Sequence, residues 1–114
     1  MDALQMTLLF DYYGDLLTER QRQCFDLRYN QDLSLGEIAQ ELNVSRQGVY
    51  DNLSRAEALL KNMEEKTGCV SRDIRCRRTA EKIGVLANRL GSCPDETVAE
   101  AARQIVLLAR QLEE

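Results

Sequence analysis

Ser34 to Ala56 reads S-L-G-E-I-A-Q-E-L-N-V-S-R-Q-G-V-Y-D-N-L-S-R-A, the pattern of two short helices joined by a tight turn. Ser34 and Glu37 have the spacing of a capping box, in which each side chain satisfies a backbone N–H at a helix start. The helix they open carries Leu35, Ile38, Ala39 and Leu42 at helical spacing. Asn43 interrupts that pattern. Asparagine tolerates the left-handed backbone that ends a helix in a sharp turn, and Ser45 two residues on can cap the next helix. Val49, Leu53, Ala56, Leu60 and Met63 form the apolar stripe of that second helix. The small side chain of Ala39 lets the two helices approach closely, and Val44 and Val49 are expected to close the wedge between them, as in a helix-turn-helix unit. The second helix then turns Ser45, Arg46, Gln47, Tyr50, Asp51, Ser54 and Arg55 away from the core, where they would face a groove. Arg46 and Arg55 can reach phosphate, whereas Asp51 and Glu57 beside them oppose it.

Two helices precede this unit. From Asp2 to Leu16, Leu4, Leu8, Leu9, Tyr12, Tyr13 and Leu16 recur at three- and four-residue spacing, giving an amphipathic first helix weakened at its end by Gly14 and Asp15. The tyrosine pair could stack on bases, but tyrosines on an apolar stripe are more often core, and core is the reading favoured here. Thr18 and Gln21 form a second capping box. It opens a helix to about Tyr29 that contributes Cys24, Phe25 and Leu27 to the interior. The fourth helix continues from Arg46 to about Lys66, where Gly68 stops it. Residues 1–67 are therefore expected to form one four-helix helix-turn-helix domain.

Residues 68–114 change in character. Ser71 can cap a helix to Leu90 with Cys76, Ala80, Ile83, Ala87 and Leu90 on one face, and Gly91 ends it. Pro94 suits a first helical position, and Asp95 and Glu96 favour the N-terminus of a last helix striped by Val98, Ala102, Ile105, Ala109 and Leu112. Two such helices imply an antiparallel hairpin. The hairpin can pack on the first domain or pair with a second copy. About five small or aliphatic residues on each helix are little core for a hairpin alone, which favours a dimerisation element.

Composition narrows the function. The chain has 114 residues, aliphatics in plenty, one proline and no tryptophan, so an all-α fold of one domain plus an appended helical piece is expected. A net charge of −4 argues against a protein that coats nucleic acid nonspecifically, so any nucleic-acid site is local. Residues 1–67 carry twelve acidic and seven basic side chains, and residues 68–114 seven and eight. Five of the latter basics, Arg72, Arg75, Arg77, Arg78 and Lys82, fall within eleven residues and would make a basic helix face interrupted by Asp73 and Glu81. It is the best phosphate candidate in the chain, set against the commoner reading of a solvated face. Neither a membrane-spanning run nor a signal-peptide profile is present, and a cytoplasmic protein is expected. Cys24, Cys69, Cys76 and Cys93 lack metal-ligand spacing and there is no histidine, so reduced thiols, with Cys24 and Cys76 in the core, and no metal or cofactor are expected. No phosphate-cradling loop or nucleophile beside a base is visible, and an enzyme is not expected.

The run T-E-R-Q-R-Q, L-R-Y, S-L-G-E-I-A-Q-E-L-N-V-S and V-Y-D-N-L-S-R-A over Leu17–Leu60 resembles region 4 of bacterial sigma factors. L-L-F-D-Y-Y at Leu8–Tyr13, S-L-G-E-I-A at Ser34–Ala39 and V-S-R-Q-G-V-Y-D-N at Val44–Asn52 make the chain more similar to the YlxM family (UPF0122), over about Leu8–Glu65. That resemblance implies a bacterial cytoplasmic protein linked to the signal recognition particle, contacting its Ffh GTPase or its small cytoplasmic RNA. Three functions follow as expectations. The first is a regulatory protein of that particle, binding RNA through Arg46, Gln47, Tyr50, Ser54 and Arg55, with Arg72, Arg75 and Arg78 assisting. The second is a DNA-binding transcription regulator using the same helix. The third is a protein-interaction adaptor without nucleic-acid affinity, motivated by the acidic balance and by Asp51 and Glu57.

Overall fold

The computed structural model describes residues 2–113, which form α1 (Ala3–Tyr13), α2 (Glu19–Phe25), α3 (Leu35–Leu42), α4 (Arg46–Thr67), α5 (Cys69–Leu90) and α6 (Glu96–Glu113), with no strand among them. The protein is all-α and contains the helix-turn-helix. It divides into two compact units, Met1–Val70 and Ser71–Glu114.

In the first unit the helix starts are set by local side chains. Asp2 with Gln5, Thr18 with Gln21, and Ser34 with Glu37 each form a complete capping box. Ser45 Oγ accepts the Gly48 N–H at 2.9 Å to start α4. Each cap satisfies a donor that a helix N-terminus otherwise leaves open, typically about 1 kcal/mol of stability. Hydrogen bonds from the Ser34 backbone and hydroxyl also hold the Glu37 carboxyl below the usual carboxylate range. Asn43 ends α3 in the left-handed conformation, φ 55° and ψ 49°. Its N–H reaches Gln40 O and the Val44 N–H reaches Ala39 O at 3.0 Å, the paired bonds of a Schellman turn.

The long α4 packs against α1, α2 and α3. Its inward face is Val49, Leu53, Ala56 and Leu60, all buried. Met6, Leu9, Tyr13, Leu17, Cys24, Phe25, Ile38 and Ala39 complete this core. Phe10 stacks on Phe25 with ring centroids 4.7 Å apart, and Phe25 meets Tyr29 at 4.5 Å. Beyond Phe25 the second helix passes into a π-helical turn over Asp26–Asn30. From that turn the Tyr29 hydroxyl donates to Glu57 of α4. Near the other end of α4, Glu64 Oε1 accepts from the Tyr13 hydroxyl at 2.7 Å and from the Val70 N–H at 3.0 Å. Gly68, at φ 64°, separates α4 from α5, a backbone conformation that L side chains adopt only under strain.

Several expectations change. In α1 the buried row is Met6, Leu9 and Tyr13, while Leu4 (71% exposed), Leu16 and Tyr12 face outward. The helix ends at Tyr13 and a 3-10 turn follows over Gly14–Leu16, which rotates Leu16 off the stripe and Leu17 into the core. Val44 does not close the wedge. It follows the left-handed Asn43 and stands at the rim, 36% exposed, so that Val49 alone fills the position.

In the second unit α5 and α6 are joined by the short Gly91–Asp95 connection, and Gly84, Val85 and Asn88 line one shallow groove with Val106, Ala109 and Arg110. Among its described residues the buried ones are all alanines: Ala80 and Ala87 on α5, and Ala99, Ala102 and Ala109 on α6. The larger members of the expected stripes, Ile83, Leu90, Val98, Ile105 and Leu112, are exposed. Cys76 is also exposed, contrary to expectation, whereas Cys24 is buried and its thiol is pushed up by burial. Among the described residues there is no helix long and apolar enough to cross a membrane, and no cluster of metal-ligating side chains.

Two outcomes follow from this packing. Ala39→Leu overpacks the α3–α4 contact and is expected to lower the unfolding free energy by about 1–3 kcal/mol, read from urea denaturation. Burial, reinforced by the Glu57 hydrogen bond and charge, raises the Tyr29 phenol from 10.0 to about 12. Burial also raises Tyr13. Since the unfolded chain ionises first, the stability the Tyr29 phenol contributes is complete below pH 10.0 and is lost as pH rises toward about 12, and Tyr13 acts in the same direction. The urea midpoint is expected to fall across that window, and to fall less in Tyr29→Phe.

Candidate nucleic-acid interface

Burial of Val49, Leu53, Ala56 and Leu60 leaves the opposite side of α4 to solvent over its first three turns. At about 100° per residue, Gln47, Tyr50, Asp51 and Ser54 occupy the middle of that side, with Arg46 and Arg55 on its two edges. All six are exposed, Tyr50 by 55%. Arg46 lies in the first turn, where the positive end of the helix dipole adds to its pull on phosphate. Neither Arg46 nor Arg55 has an ion-pair partner among the described residues, so both guanidinium groups are available.

The middle of the face is less open than the sequence suggests. Gln47 Nε2 donates to Asp51 Oδ1 at 3.0 Å, one turn on, so the amide best suited to reading a base edge is engaged. Asn52 Nδ2 is spent on Gly48 O at 2.9 Å, and Ser45 Oγ on the helix cap. The i, i+4 spacing of Gln47 and Asp51 could have revealed the first of these pairings. Glu57, expected to oppose phosphate from beside Arg55, is instead held by the Tyr29 hydroxyl on the flank toward the π turn. The acid that remains on the reading face is Asp51. Two other arginines of this unit serve the fold: Arg20 Nη1 donates to Leu42 O at 3.4 Å and Arg28 Nη1 to Leu33 O at 3.0 Å.

Arg72, Arg75 and Arg78 belong to the other unit, as exposed residues of α5. Their spacing, continued by Lys82, runs along one side of the helix. Arg77 does not join them. It projects from the far side and pairs with Asp73 at 3.6 Å, so the basic face is narrower than five residues but freer of acid than expected. In α6, Arg103 is bound at 2.7 Å by both Glu96 and Glu100, which removes it as a phosphate ligand. The same hydrogen bonds hold the Glu100 carboxyl below its usual range.

The family model of the YlxM / p13-like helix-turn-helix proteins, UPF0122, matches residues 1–89. A UPF0122 protein of Thermoanaerobacter sp. (strain X514) is 52% identical over 82 residues, 72% of this chain and 70% of its own. One of Desulforamulus reducens is 59% identical over 68 residues, 60% of this chain and 58% of its own. One of Bacillus cereus (strain AH187) is 41% identical over 109 residues, 96% of this chain and 94% of its own, so that similarity runs through both units. The likeness thus extends beyond the Leu8–Glu65 stretch that carries the quoted motifs.

Asp51 offers a direct test of this surface. Asp51→Asn removes the one carboxylate between the two arginines and keeps a hydrogen-bond partner for Gln47. It is expected to tighten phosphate-dependent binding several-fold at low salt, measured by anisotropy of a labelled nucleic acid, with the gain vanishing at high salt.

Proposed function

As the chain belongs to the UPF0122 family of YlxM / p13-like helix-turn-helix proteins, we propose that it is a cytoplasmic regulatory protein of the signal recognition particle, contacting the particle's small cytoplasmic RNA and its Ffh GTPase. The observation that carries the RNA part is the α4 face, where the exposed Tyr50 stands between two unpaired arginines. An aromatic ring flanked by guanidinium groups suits an unstacked base with phosphates on either side, as RNA loops and bulges present them. The arginines after Ser71 add a second, separate row of phosphate contacts. The particle itself is inferred from the family resemblance in Leu8–Tyr13, Ser34–Ala39 and Val44–Asn52. The protein binds rather than catalyses, needs no cofactor, and works as a homodimer through residues 68–114.

Transcription regulation through duplex DNA is the alternative reading of the same helix. It is weakened because the Gln47 amide is engaged by Asp51 and the reading face keeps that acid at its middle. An adaptor that binds Ffh alone is the remaining alternative, and the acidic balance of the first unit supports it.

Fluorescence anisotropy of labelled particle RNA, beside a DNA duplex of similar length across a salt series, distinguishes the three. Saturable RNA binding with a clear salt slope and much weaker DNA binding is the expected result. Arg46→Ala with Arg55→Ala should reduce that slope by about two phosphate contacts. Tyr50→Ala should weaken binding by about 1–3 kcal/mol with little change of slope. Sequence-preferring duplex binding would establish the DNA alternative. Absence of binding to either nucleic acid at low salt would remove both and leave the adaptor, tested next by titration against Ffh.

A further inference from the structure

The second unit is built inside out for a hairpin that stands alone. Its small residues are buried and its large ones are exposed. On α6, Val98, Ala101, Ile105, Leu108 and Leu112 recur at alternating three- and four-residue spacing, and on α5 Ile83, Leu86 and Leu90 do the same, continued toward the N-terminus by Thr79 and Cys76. That is the a/d spacing of helices that pack by inserting side chains into one another's holes. The seven large aliphatics of these rows, Ile83, Leu86, Leu90, Val98, Ile105, Leu108 and Leu112, are between 37% and 61% exposed.

Helical geometry places the two rows on one surface. At about 100° per residue, the exposed row on each helix lies roughly 80 to 90° from the alanine row, in the same rotational sense on both. A five-residue connection makes the helices antiparallel neighbours. Reversing one helix reverses the apparent sense of its rotation, so with the alanine rows turned toward the partner helix, both large-residue rows emerge on the same side of the hairpin. The result is one continuous uncharged face, with Arg75, Arg78 and Lys82 beside it on α5 rather than within it.

We propose that this face is the interface with a second copy of the chain, two α5–α6 hairpins closing about a two-fold axis into a four-helix bundle. The inference rests on the homodimer reading above and specifies its surface. Two observations point to a second copy rather than another partner. The face carries the same a/d register on both helices and no charge, so it is complementary to itself under a two-fold axis, which brings the same patch of both copies together. Its size also fits. Seven roughly half-exposed aliphatic side chains amount to roughly 700 Å² per copy, close to the ~800 Å² per partner of a standard interface and above the ~300–600 Å² patch of a typical monomer.

Sedimentation velocity and light scattering at tens of micromolar test it. The wild-type chain is expected at twice its 13.0 kDa mass. Leu86→Glu with Leu108→Glu should weaken self-association at least about a hundredfold and give monomers. Leu107→Glu, on the opposite side of α6, should leave the dimer intact. The two seam leucines are exposed in the single chain, so helix content by circular dichroism should survive their replacement. If glutamate unwinds α5 or α6, Leu86→Ala with Leu108→Ala, which favours helix, is judged by the same measurement. A wild-type dimer that both double variants leave unchanged would overturn the seam and keep the homodimer reading. A monomeric wild type would overturn both, and RNA binding is scored independently of either.

Discussion

The burial of Val49, Leu53, Ala56 and Leu60 on one side of α4 is the constraint on which the first unit depends. Three helices meet that row, and none would keep its own apolar face covered without it. The same row decides what the protein shows to others. A helix with its inner side committed to α1, α2 and α3 has no freedom to rotate, so the side that bears Tyr50 and the two arginines is held toward solvent. Preorganisation of this kind spares a binding surface the ordering cost that flexible side chains on a loop would incur. The far end of α4 has another task, since Glu64 joins the Tyr13 hydroxyl to the first turn of α5.

Charge acts locally here. An acidic chain does not attract nucleic acid from a distance, so affinity must arise where basic groups are uncompensated. Arg20, Arg28, Arg77 and Arg103 are each engaged by a carbonyl or a carboxylate, which removes them as phosphate contacts, whereas Arg46 and Arg55 on α4 have no ion-pair partner among the described residues. With no histidine in the chain, no side chain with an ordinary pKa changes charge between about pH 5 and 8, and salt rather than pH is the natural control on such a surface.

What could be read from the sequence divides by the range of the interaction. Capping boxes at Thr18 and Ser34, the turn at Asn43 and the stop at Gly68 span six residues or fewer, and they are legible because the residues that cause them are close in sequence. The α4 stripe was legible because only one row of large apolar residues exists on that helix. Where a helix carries two rows, periodicity shows both without showing which one is covered. In α1 the row of Met6, Leu9 and Tyr13 won over that of Leu4, Leu8 and Tyr12. In α5 and α6 the buried row is made of alanines and the leucines are exposed. The link from Tyr29 to Glu57 joins residues 28 apart and has no sequence signature, so the sequence alone leaves Glu57 beside Arg55 as an acid opposing phosphate. The partners of the candidate site lie outside the chain, and its residue types indicate a ligand class rather than a ligand.

Every buried hydrophobic residue of the first unit, from Met6 to Val70, lies within the first seventy positions. Synthesis proceeds from the N-terminus and domains fold as units, so the helix-turn-helix can acquire its complete core while the sticky leucine-bearing helices are still being made. The order of the genetic message thus places the exposed leucine rows after a segment that has already finished competing for apolar contacts.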